Sequence, residues 1–286
     1  MSYLTGPYDG SANGEGLGKL TTGFGARGDQ PMKDGGKIGP EFTFGIYMEK
    51  ELKEPILIIK TAWGGRSLNT EFRPPSAGQY KLPKEIQEVW DKHPQGAHGV
   101  PKLEDRKRWQ DDKDAASGVF YRMMVEHVKK VLGDPKRVCP EYDEKAGYEL
   151  AGFVWLQGFN DLVDGTTYPG PDKPGKYDVY SDLLAKFIRD VRKDLSAPKM
   201  PFVIGVLGPT SRTASISPDV NDPGFRNTSF EELRVAYREA ASGLIDGGAD
   251  ALMVETIFDT LNAKAALYAI AEEFDARGAQ LPVMIS

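Results

Sequence analysis

Gly64 and Gly65 sit in residues 61–67 (TAWGGRS), directly after an apolar run, where a backbone without side chains lets N–H groups approach a developing oxyanion. Asn160, in residues 155–161 (WLQGFND), follows a second apolar run and adds a side-chain amide donor. Backbone and amide donors converging on one point are what an acyl-transfer transition state requires. A nucleophile would need a base beside it, and the histidines on offer are His93, His98 and His127. His93 and His98 lie in a loop-like stretch, while His127 falls on a helical pattern as a partly buried packing residue. Cys139 is the single cysteine, which excludes an internal disulfide and any site built from two or more thiolates. No metal and no cofactor are therefore expected.

Such groups need a rigid platform. Short apolar runs bounded by turn residues at 55–61, 152–157, 201–207, 249–255 and 282–285 read as buried strands. Helical spacing recurs between them, at 119–132, 182–195, 230–245 and 261–277. The third of these helices opens on a capping box at 229–232 (SFEE), and the fourth closes on Gly278. Alternation of this kind predicts an α/β fold with one mostly parallel sheet, because parallel neighbours need crossover connections. Ligands would then gather beyond the carboxyl ends of the strands. Local pattern leaves open whether the sheet is doubly wound or begins to close into a barrel. Residues 1–39 and 66–116 lack periodicity and read as long loops, with the charge run at 104–108 (EDRKR) as solvated surface.

Composition narrows the partners. A hydrophobic content of 40% over 286 residues supports a sizeable core, and a net charge of −6 offers no basic footprint for nucleic acid or an anionic membrane. No run approaches the roughly 20 apolar residues of a membrane span, and the opening residues lack a signal pattern, so the expected location is cytoplasmic.

The segments 38–45 (IGPEFTFG), 56–65 (ILIIKTAWGG) and 152–161 (GFVWLQGFND) resemble the sialate O-acetylesterase branch of the SGNH carbohydrate esterases, over about residues 17–207. The resemblance implies a flavodoxin-like sheet, with Gly64 or Gly65 and Asn160 as oxyanion donors and Gln157 and Asp161 lining the substrate pocket. It implies a small-molecule ester or acetylated sugar as ligand. Ser11, in residues 9–14 (DGSANG), echoes the family's nucleophile segment, although it equally suits a turn. No Asp-x-x-His block is present, and no strand is read before Lys19 to carry the serine.

From Gly205 the resemblance changes. Residues 205–223 (GVLGPTSRTASISPDVNDP) and 254–264 (VETIFDTLNAK) are similar to the homocysteine-binding module of cobalamin-dependent methionine synthase. That module is a (βα)8 barrel, of which these residues would supply about the fourth to sixth strands. Glu255 matches a position that helps hold the homocysteine amino group. The module's zinc is held by three cysteines that these residues do not include. The expectation is thus a chimera: an esterase-like portion at 1–207, continued by a barrel fragment at 208–286, with Val203 and Val206 buried in a shared strand. An esterase-like hydrolase with doubtful turnover is the first reading. Homocysteine binding and a non-catalytic α/β scaffold are the alternatives.

Overall fold

The computed structural model describes residues 2–6, 14–21, 39–97, 99–169, 178–207, 214–215, 217, 219–246, 248–254 and 259–285. The chain divides into two compact units, Met1–Arg66 with Val119–Glu149 and Ser67–Gly118 with Leu150–Ser286. The fold class is α/β, as the alternation predicts.

The first unit holds β1 (Ser2–Gly6), β2 (Gly14–Leu17) and β3 (Ile59–Trp63) in the order β2-β1-β3, with β1 antiparallel to β2 and parallel to β3. Helix α1 (Pro40–Leu52) starts with proline in its first turn, where the missing N–H costs nothing. Its buried Glu41 pairs with Lys60 of β3 at 2.9 Å. The long amphipathic helix of this unit, α4 (Val119–Gly133), buries Tyr121, Met124, Val125, Val128 and Val131. His127 is buried on the same helix, and loss of water lowers its pKa, so it packs as a neutral ring.

The second unit carries β4 (Phe153–Trp155), β5 (Phe202–Leu207), β6 (Ala251–Val254) and β7 (Val283–Ile285), parallel throughout and in the spatial order β4-β5-β6-β7. The crossovers are α6 (Asp178–Asp194), α7 (Phe230–Asp246) and α8 (Thr260–Arg277), with the short α5 (Phe159–Val163) immediately after β4. The core is aromatic where β4 and β5 meet α6: Phe153 stacks on Phe202 at 4.6 Å, and the fully buried Phe187 lies 4.3 Å from Trp155. Helix α8 turns Ala265, Ala266 and Ala269 inward, small side chains that let it approach its neighbours closely, beside the larger Ile270 and Phe274. The capping box before α7 forms as its sequence suggests, with Ser229 N–H on Glu232 at 2.8 Å and Glu232 N–H on Ser229 Oγ at 3.2 Å.

Three expectations need correction. The strands belong to two sheets, so β3 and β4 are not neighbours on one platform; β3 finds its partner in β1 instead. Residues 1–39, read as a loop, contain β1 and β2, whose glycines and short length hide any alternation. Residues 66–116 contain α2 (Lys84–Asp91) and α3 (Leu103–Ala116). Helix α3 buries none of its residues fully, so it has no apolar stripe to announce it. The junction region does form one strand, β5, but Val203 in it is half-buried rather than buried, while the side chain of Val206 lies outside the described residues.

Doubly wound sheets reverse their strand order at a switch point. Here spatial order follows chain order across all four strands, which fits the wall of a βα barrel and equally one half of a doubly wound sheet.

Candidate functional site

Two places in the second unit gather polar groups. The first surrounds Asp161 in the opening turn of α5. The residue is only 2% exposed, yet it is a carboxylate, so its oxygens must be satisfied from within. Leu68 N–H donates to Oδ2 at 2.7 Å, Asn69 N–H donates to Oδ1 at 3.1 Å, and the Gln157 amide donates to Oδ2 at 2.5 Å. The Tyr180 hydroxyl in turn donates to the Gln157 carbonyl at 2.9 Å. Burial pushes the Asp161 carboxyl up to about 6, against the pull of these donors. Burial and the Asp161 charge together drive the Tyr168 and Tyr180 hydroxyls upward, so both remain protonated donors. The result is a rigid node that fixes the segment following Ser67 to the start of α5.

The second place lies at the carboxyl ends of β5 and β6, which are paired through Leu207 and Val254. The segment after β5 reaches Ala214 and Ser215, and the segment after β6 reaches Asp259 at the N-terminus of α8. Ser215 N–H donates to Asp259 Oδ2 at 3.0 Å, and Ala214 N–H donates to Asn262 Oδ1 at 3.1 Å. Asp259 also caps α8 through Leu261 N–H and Asn262 N–H. Burial works against its charge, but the donors from Ser215, Leu261 and Asn262 outweigh it and hold the carboxyl below its usual range. Two loops from adjacent parallel strands are thereby joined at the end of the sheet where α/β folds receive ligands.

The residues singled out from sequence are divided between the two units. Gly64 and Gly65 form an exposed turn after β3 in the first unit, and Gly65 has a φ of 72°, a conformation that glycine adopts at no steric cost. Asn160, Gln157 and Asp161 belong to the second unit. Asn160 is half-buried and, among the described residues, its side-chain amide has no hydrogen-bond partner. Gln157 and Asp161 are brought together, but as members of the buried node. Ser11, His98 and Glu255 lie outside the described residues. His93 is exposed.

Sequence reasoning passed over Tyr168, Tyr180, Asp259 and Asn262. For Asp259 a signal exists: an aspartate immediately before a helical run is an N-cap candidate. The tyrosines carry none, since they join the node only through tertiary packing. Among the described residues no group of three or more His, Cys, Asp or Glu side chains is placed to hold a metal ion. Zinc that activates a thiol is commonly held by thiolates, and the sole cysteine, Cys139, is in the first unit near Glu141. Among the described residues the donor set thus does not fit a zinc centre. Among the described residues, no helix is long and apolar enough to cross a membrane.

The family model for homocysteine S-methyltransferase matches residues 175–286. The matched segment runs from the start of α6 to β7. It begins well upstream of Gly205, so α6 and β5 belong to it as well.

Proposed function

We propose that residues 175–286 form a homocysteine-binding part derived from a homocysteine S-methyltransferase. The observation that carries this reading is the family match laid over three successive parallel strands in barrel order. In this reading the ligand sits at the carboxyl ends of β5 and β6, with Glu255 on its amino group. No methyl-transfer step is assigned, because a chain with one cysteine does not supply the thiolates that would sharpen the substrate thiol. Titration calorimetry of the full chain with L-homocysteine should give saturable binding at one site, and elemental analysis should find no stoichiometric zinc. Absence of binding up to millimolar ligand would overturn the reading, and one tightly held zinc per chain would overturn its metal-free form.

A second reading, as an ester-binding site of esterase descent, is favoured by one observation. The Asn160 amide has no partner among the described residues, and the buried Asp161 node holds the helix that carries it. Hydrolysis of p-nitrophenyl acetate and of an acetylated sugar should run at background, because the sequence carries no Asp-x-x-His block to activate a serine. Turnover that disappears in Ser11→Ala would instead make this the working function.

A further inference from the structure

Capping a helix needs one side-chain oxygen, and serine or asparagine performs it as well as aspartate does. Asp259 goes further: one oxygen caps α8 through Leu261 and Asn262, and the other takes the Ser215 N–H across 44 residues of sequence. Asn262, on the first turn of the same helix, takes the neighbouring Ala214 N–H across 48 residues. Neither long-range bond is required by the helix. Both side chains are nearly inaccessible, at 3% and 4% exposure, so two polar groups are buried in order to hold two consecutive backbone amides. Those amides lie in the stretch between β5 and α7, and their acceptors lie at the start of α8, which follows β6.

We propose that Asp259 and Asn262 are positioning residues that latch the loop after β5 onto the start of α8 and so set the rim of the homocysteine site. The inference rests on the homocysteine reading above and adds to it a pair of residues outside the ligand's reach. Loss of the latch would remove two bonds that tie Ala214 and Ser215 to the start of α8, and ligand groups positioned by that tie would then be ordered at the moment of binding. That ordering lowers affinity.

Asp259→Asn separates the two jobs of the carboxylate. Its single oxygen keeps the cap, while its amide nitrogen cannot accept from Ser215. The full chain, Asp259→Asn and Asn262→Ala are compared by calorimetry with L-homocysteine, by amide hydrogen exchange at Ala214 and Ser215, and by thermal unfolding. Exchange at those two amides should rise at least tenfold in either variant. Affinity should fall about tenfold, with the unfolding midpoint of Asp259→Asn close to that of the parent. If exchange rises while affinity is unchanged, or if exchange does not rise, the latch is wrong and homocysteine binding by the parent still stands. If the parent itself fails to bind, the homocysteine reading falls and the proposed role falls with it. Should Asn262→Ala fail to fold, Asp259→Asn alone decides the matter.

Discussion

Asp161→Ala should destabilise the second unit by about 4 kcal/mol near pH 5. The substitution removes the acceptor for Leu68 N–H and Asn69 N–H in a buried setting, and each stranded donor costs about 2 kcal/mol. The cost should shrink as pH rises. With the folded carboxyl at about 6 and the unfolded one near 4, the folded state binds the extra proton between these values. The contribution is therefore fully present below about pH 4 and is lost as pH climbs through 6. Two pK units correspond to roughly 3 kcal/mol. Urea unfolding followed by tryptophan fluorescence reads this directly, because Trp90, Trp109 and Trp155 belong to the second unit. The parent should lose stability between pH 4 and 7, and Asp161→Ala should lack that decline. A cost below about 1 kcal/mol at pH 5, or one that grows with pH, would show that the node is not what holds the Ser67–Asn69 segment in place.

Phe187→Ala should cost about 4 kcal/mol at any pH between 5 and 8. Phe187 has no exposed surface and lies between Trp155 at 4.3 Å, Phe202 at 6.0 Å and Phe153 at 6.2 Å. Removing the ring forfeits its transfer free energy and leaves a cavity that strands β4 and β5 cannot close without breaking register. Phe187→Leu retains most of the volume and should cost less than half as much. The denaturant slope should stay constant across the pair, so that only the midpoint moves. Equal costs for the two variants would mean that the site relaxes around the loss, and that the aromatic cluster is not the joint between sheet and helix.

Much of the second unit is legible in sequence because burial there is one-sided and local. Each run from 152 to 285 read as a strand is one, within a few residues, and the helices from α6 onward follow their apolar stripes. Residues 1–54 and the insert at 67–118 resist for physical reasons, whereas β3 and α4 of the first unit follow the runs read at 55–61 and 119–132. Strand β2 is the tetrapeptide GEGL, with one large apolar side chain, and α3 is nearly all charge, so neither displays the period that would reveal it. Sheet membership is not local at all: β3 pairs with β1, about 55 residues earlier, rather than with β4. The site shows the same divide. Gln157 and Asp161 can be picked out from the WLQGFND segment, but their binding to each other and to the Leu68 and Asn69 amides depends on a fold contact across more than 90 residues. Asp259 could be found as a cap. Its second bond could not.

The sheet order β4-β5-β6-β7 also bears on heredity. When spatial order copies chain order, a genetic cut between any two consecutive βα units leaves two pieces, each still contiguous in space. Ancestral duplication, truncation and exchange can then act on such a sheet one unit at a time, with the surviving strands keeping their old neighbours. A sheet with a switch point has no such freedom at its centre, where strands adjacent in space come from distant parts of the gene. Exchange at a point such as β5 would therefore be tolerated wherever the incoming strand presents a side chain of similar size to Phe202 to the aromatic cluster.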